Sequence, residues 1–200
     1  PETLSLNYLT EIWGIRPDLR AITSRDAAAL LPHNRIAVTQ SALPIVPAEV
    51  SPAARYSAIG RTLALISPGP ATDLAPGLSA WIHDFGDQLR LLGGKLDINP
   101  ATGEHVVLLN WLALQTPAFD WSVSVRLTQG GAEMAQQDYT HPVWGAYPTT
   151  RWLPGEVVGD AYAFALPTGA QPDGVTVIVY RGDGNGGFAN LDVARFALKE

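Results

Sequence analysis

The stretch GAYPTTRWLPGEVVGDAY, residues 145–162, gathers side chains whose types could do chemistry. Together with the segment just before it, it brings Asp138, Glu156 and Asp160 close along the chain. Two acids facing one cleft hydrolyse glycosidic bonds, one protonating the leaving oxygen while the other attacks or activates water. The spacing here selects no such pair, and acids beside turns more often cap backbone N–H groups. Trp144, just before this stretch, and Tyr147 and Trp152 within it lie within nine residues, interrupted by Pro148 and followed by Pro154. Rigid aromatic rings offer flat, dry faces to the C–H side of a sugar at little entropic cost. Trp144, Tyr147 and Trp152 are therefore the candidate glycan-binding residues. The competing expectation places Trp152 in the end of a core, with Pro148, Pro154 and Gly155 shaping the turns into a strand that begins at Glu156.

Other chemistries find less support. The four histidines, His33, His83, His105 and His141, show no ligand spacing, and no metal or cofactor is expected. Residues 183–192, DGNGGFANLD, are similar in composition to a calcium loop. Phe188 stands where an EF-hand needs glycine, however, and Ala194 where it needs the bidentate glutamate. A glycine-rich hairpin turn accounts for them better. There is no G-x-S-x-G elbow, and Ser79, His83 and Asp84 are near each other only in sequence. GGK (93–95) lacks the rest of a phosphate loop. No catalytic residue is assigned.

Composition narrows the class. Of 200 residues, 46% are hydrophobic and 16% charged, enough apolar material for a packed core. Sixteen prolines and nineteen glycines imply many turns and favour β-structure. Net charge is −6 and the basic residues are scattered singly, which argues against a nucleic-acid partner. Cysteine is absent, removing disulfides and thiolate chemistry together. The longest apolar runs are too short to span a bilayer. The chain starts at Pro1 without methionine or a visible signal peptide, as an excised piece of a longer protein would.

These side chains need elements to position them. Residues 1–70 read as a small α/β unit. Leu4, Tyr8, Ile12 and Ile15 have helical spacing, 19–23 reads as a strand, and 24–34 as a helix stopped by Pro32. Residues 35–40 are extended, 51–60 a short helix with Pro52 in its first turn, and 61–67 a strand. That alternation predicts a small parallel sheet flanked by helices. Residues 68–77, PGPATDLAPG, read as a linker. From 71 to 200 the period is two. Trp121, Val123, Val125 and Leu127 share one face, and Ser122, Ser124, Arg126 and Thr128 the other. Segments 78–85, 88–98, 106–114, 161–166, 174–180 and 189–198 behave alike, about eight strands in all, and predict an antiparallel β-sandwich of jelly-roll or immunoglobulin-like type. Trp13, Trp81, Trp111 and Trp121 are expected in the core.

Two segments carry a resemblance. Residues 135–167 fit a D…P…G.YPT..W.PGE.V.D.Y.L.LP string through Asp138, Pro142, Gly145, Tyr147, Pro148, Thr149, Trp152, Pro154, Gly155, Glu156, Val158, Asp160, Tyr162, Leu166 and Pro167. Upstream, Tyr8, Gly14, Arg16, Pro17 and Asp18 fit a Y…G.RPD pattern. Together these cover about half the chain, and they resemble the C-terminal tails of bacterial polytopic membrane glycosyltransferases related to protein mannosyltransferases and aminoarabinose transferases. The resemblance implies an extracytoplasmic, non-catalytic region of an enzyme that moves sugar from a polyprenyl-phosphate carrier. Its partner would be its own transmembrane domain, with glycan or acceptor as a further contact. The family's catalytic acid lies in a transmembrane loop, so none is carried over. A free-standing carbohydrate-binding module, a hydrolase using Asp138, Glu156 or Asp160, and a purely structural role are the alternatives.

Overall fold

The computed structural model describes residues 22, 24–44, 52–72, 77–99 and 102–198. The expected helix over 4–15 and strand over 19–23 therefore lie outside the described residues, apart from Ile22. The expected helix after Ser24 is present as α1 (Ser24–Leu30), tightening into a 3-10 turn over Leu31–His33 that contains Pro32. Strands follow at β1 (Ile36–Thr39), β2 (Arg55–Ala58) and β3 (Leu63–Ser67). Their order is β1-β3-β2, and both pairings are antiparallel, with Ile36 opposite Ile66 and Tyr56 opposite Ile66.

This corrects the expected parallel sheet, and the reason is β2. Residues 51–60 carry helix-forming alanines behind Pro52, yet Ala54, Tyr56 and Ala58 are buried while Arg55 and Ser57 alternate with them. Pairing to β3 and burial of that period-two face override the local preference. With β2 a strand, β3 returns by a short turn, which only an antiparallel pair allows.

The rest of the described chain is an antiparallel β-sandwich, as its alternation predicts. One sheet holds β4 (His83–Phe85), β5 (Leu89–Ile98), β6 (His105–Ala113) and β9 (Val157–Phe164) in that order. The other holds β11 (Phe188–Ala197), β10 (Gly174–Gly182), β7 (Ser122–Gln129) and β8 (Ala132–Tyr139). Val123, Val125 and Leu127 of β7 and Val175, Val177 and Val179 of β10 face Leu89, Leu91, Val107, Leu109 and Trp111 across the interior. Trp81, Trp111 and Trp121 are all buried, as expected. β8 is the strand that sequence reading does not find. Its residues, AEMAQQDY, show no apolar alternation, and every one of them is at least partly exposed. The segment 183–187 is a hairpin turn in which Asp183 Oδ1 accepts from the N–H groups of Asn185 (2.8 Å) and Gly187 (2.9 Å).

The small sheet lies against the sandwich through β2 and β9. On β9, Val158, Asp160, Tyr162 and Phe164 alternate inward, leaving Gly159 and Ala161 on the opposite face. Gly159 N–H donates to Ser57 Oγ at 2.7 Å. A Cβ at Gly159 would stand 2.2 Å from the Ala58 carbonyl oxygen, a backbone atom that cannot swing away. A glycine inside a strand here marks close approach of another backbone. Gly159→Ala is therefore expected to lower stability by about 1–3 kcal/mol through overpacking. Urea unfolding of the two proteins measures it. An unchanged midpoint would mean that β2 does not rest on β9.

Candidate functional site

The chain from β8 to β9 builds the candidate site. It first makes a turn, HPVWGAY, in which Gly145 N–H donates to the His141 carbonyl (2.8 Å) and Tyr147 N–H to that of Pro142 (3.1 Å). Val143, Trp144 and Gly145 all have left-handed backbone, with φ of 57°, 56° and 87°. For glycine that conformation is ordinary, but for a β-branched valine it is strained. Asp160 on β9 holds it. Asp160 Oδ1 accepts from Val143 N–H (2.8 Å) and Ala161 N–H (3.0 Å), and Oδ2 accepts from the Tyr162 hydroxyl (2.6 Å). Asp160 is 1% exposed. Burial pushes its carboxyl up to about 6, opposed by hydrogen bonds to the carboxylate, that of the Tyr162 hydroxyl first. Burial, and then the charge of Asp160, hold the Tyr162 phenol well above its usual range. The Tyr139 ring packs on that of Tyr162 with centroids 5.3 Å apart, closing the β8–β9 edge of the sandwich.

A second cluster sits where the small sheet meets the sandwich. The Tyr147 hydroxyl donates to Glu156 Oε1 at 2.8 Å, and Leu153 N–H donates to Oε2 at 2.9 Å. Arg55 Nη1 from β2 lies 3.7 Å from that Oε2, and it donates to the Tyr147 hydroxyl oxygen (3.2 Å) and to the Arg151 carbonyl. Arg151 answers in the other direction. Its Nη2 donates to the carbonyls of Pro52 (2.6 Å) and Ala54 (2.8 Å), while its guanidinium lies over the rings of Tyr56 and Tyr147. Burial pushes the Tyr147 phenol above its usual range. Between these residues a 3-10 turn, Thr149–Arg151, ties in the loop before β7. Thr149 Oγ1 donates to the Phe119 carbonyl (3.0 Å) and accepts from Trp121 N–H (2.9 Å). Thr150 donates through its N–H and hydroxyl to Asp120.

This geometry locates every candidate residue. Tyr147 and Trp152 are both 0% exposed, so neither ring face is open to a sugar. Their planes meet each other at a centroid distance of 6.0 Å, and they belong to the core. Trp144 packs on the core's margin and keeps part of its surface exposed. The three acids do not face one cleft. Glu156 and Asp160 are buried in separate hydrogen-bond sets, and Asp138 sits on β8, its carboxylate receiving the Gln136 amide. Ser79, His83 and Asp84 are not assembled either. His83 Nε2 lies 2.9 Å from Asp192 Oδ2, and Asp84 pairs with Arg90. Among the described residues no group of three or more histidine or acidic side chains is arranged to hold a metal.

Sequence reading missed Arg55 and Arg151, the cations that join the two units. The only signal was their place beside tyrosines and prolines. Comparison with protein-family models, with curated proteins and with solved structures finds no match to this chain.

Proposed function

We propose that this chain is a non-catalytic, extracytoplasmic accessory region of a bacterial membrane glycosyltransferase that uses polyprenyl-phosphate sugar donors, with the enzyme's own transmembrane domain as its partner. The supporting observation is how the resembling string is spent. Tyr147, Thr149, Trp152, Glu156, Asp160 and Tyr162 are buried and held by one another or by backbone groups. A string used this way preserves a corner of the fold and leaves catalysis to another part of the protein. Among the described residues no helix is long and apolar enough to cross a membrane, so on this reading the membrane spans are encoded elsewhere in the gene. Sequencing the reading frame upstream of Pro1 tests the proposal. Several apolar spans of about twenty residues are expected; a start codon or signal peptide directly upstream would sink it.

A free-standing carbohydrate-binding module is the second reading. It rests on Trp144, which alone of the three aromatic candidates keeps accessible surface. Titration with neutral oligosaccharides, followed through tryptophan fluorescence, separates the two. A response abolished by Trp144→Ala favours the module, and silence across the panel removes it.

A further inference from the structure

The hairpin joining β10 to β11 turns through DGNGG, residues 183–187, and its tip carries a reactive pair that the fold does not use. Asp183 organises the turn. Its N–H donates to the Gly187 carbonyl at 3.0 Å, and its Oδ1 accepts from the N–H groups of Asn185 and Gly187. The N–H between those two, that of Gly186, has no acceptor among the described residues, and the Asn185 carboxamide makes no hydrogen bond to them. Residues 183–186 are all exposed. Gly184 and Gly186 have left-handed backbone, with φ of 81° and 86°, and nothing lies within 4 Å of where a Cβ would stand at either. Asn-Gly suits such a turn because both residues tolerate positive φ.

The same features suit a reaction. An asparagine carboxamide carbon lies one ring closure from the peptide nitrogen that follows it. Closure needs that nitrogen to carry a hydrogen, to be free of a hydrogen bond, and to be uncrowded by its own side chain. Asn185 meets all three conditions, and the other described asparagines each fail one. Asn34 donates its carboxamide to the Leu30 carbonyl at 2.9 Å and precedes Arg35. Asn99 precedes Pro100, which has no N–H. Asn110 is 3% exposed in β6, paired to Gly93 on one side and Gly159 on the other. Asn190 is held in β11 opposite Tyr180 and precedes the branched Leu191.

We infer that Asn185 is a site of self-catalysed covalent modification, converting in the folded protein to aspartate and isoaspartate with water as the only co-reactant. The Gly186 nitrogen gives up its proton and bonds to Asn185 Cγ. The carboxamide nitrogen leaves with that proton as ammonia, and a succinimide ring remains. Water then opens the ring. Cleavage at Cγ gives aspartate, and cleavage at the main-chain carbonyl gives isoaspartate; nothing is oxidised or reduced. Either product places a second carboxylate beside Asp183, and isoaspartate also lengthens the main chain of the turn by one carbon. The hairpin tip lies in a different loop from the corner that supports the proposed function, so each proposal stands or falls by its own test.

The experiment incubates the full chain in heavy-oxygen water at neutral and at mildly alkaline pH, with circular dichroism confirming that it stays folded. Trypsin then releases residues 182–195, a peptide that contains Asn185 and, as an internal control, Asn190. Fragmentation in the mass spectrometer locates the label and distinguishes isoaspartate from aspartate. A synthetic peptide of the same sequence sets the rate without a fold. Expected is label at Asn185 ahead of Asn34, Asn110 and Asn190, at a rate comparable to the free peptide's. Both products should form, faster at the higher pH because the peptide nitrogen must lose its proton. Asn185→Gln, an exposed substitution that requires a larger ring, should leave this peptide unlabelled. An intact Asn185 while the free peptide converts would overturn the assignment. So would aspartate without isoaspartate, a rate indifferent to pH, label appearing first at another asparagine, or label persisting in the variant.

Discussion

Replacing Glu156 by alanine is expected to destabilise the fold by about 3–5 kcal/mol, the range for removing one partner of a buried ion pair. The carboxylate is 1% exposed and serves three groups at once: the Tyr147 hydroxyl, the Leu153 N–H and Arg55. Alanine leaves the buried Tyr147 hydroxyl and the part-buried Leu153 N–H without this acceptor, and it leaves Arg55 facing a void. The loss should also loosen the small sheet, because Arg55 belongs to β2 while Glu156 precedes β9. Urea unfolding measures the cost, and hydrogen exchange of the β2 and β3 amides shows where it falls. Glu156→Gln keeps one acceptor for Tyr147 and should cost less. A loss below about 1 kcal/mol for the alanine variant, in the range of an exposed pair, would remove Glu156 from the centre of this cluster.

The second large effect belongs to Asp160, and it depends on pH. Asp160→Ala strands the Val143 and Ala161 N–H groups and the Tyr162 hydroxyl, all buried, and should cost about 3–5 kcal/mol. The native residue also has an unusual titration. Burial raises its carboxyl from 3.8 to about 6. The folded chain therefore holds that proton more tightly than the unfolded chain does, and folding takes up a proton between about pH 4 and pH 6. Asp160 thus makes its largest contribution to stability at the acid end of this window, and the contribution falls by roughly 3 kcal/mol as pH rises through it. Three acids near the surface, Asp84, Asp183 and the half-buried Asp192, have lowered values and oppose this slope. Comparing wild type with Asp160→Asn cancels them. The variant should lose the Asp160 slope, so the stability difference between the two proteins should change between about pH 4 and pH 7. A constant difference would mean that Asp160 does not titrate there.

Much of the sandwich was legible because its buried strands advertise themselves. β7 alternates Val123, Val125 and Leu127 with serine and arginine, and the interior it faces needs that pattern and no other information. Legibility fails where a distant partner decides the outcome. Residues 55–58 carry local helix preference, and only the β3 pairing and the sandwich surface beneath make them a strand. Gly159 and Ala161 did hold a signal, since small residues inside a strand imply another backbone lying on them. The aromatic candidates illustrate a different limit. Composition identifies Tyr147 and Trp152 as notable, but exposure belongs to the folded chain, and here Arg55 and Tyr56, from a segment about ninety residues earlier, help to cover Tyr147. Asp160 was noticed as an acid beside a turn. Its role as the acceptor that holds a left-handed valine needed the register of β9.

The polarity that hides β8 from sequence reading has a further consequence. β8 closes its sheet on one side, pairing with β7 alone, so its outer rim of N–H and C=O groups has no strand beside it among the described residues. Such a rim is a template on which a neighbouring molecule can add a strand and begin to aggregate. Glu133 and Asp138 place charge along it, and a bulge opposite Leu127 and Thr128 breaks its regularity. An apolar β8 would have been easy to find in the sequence, and it would also have made each molecule adhesive to the next.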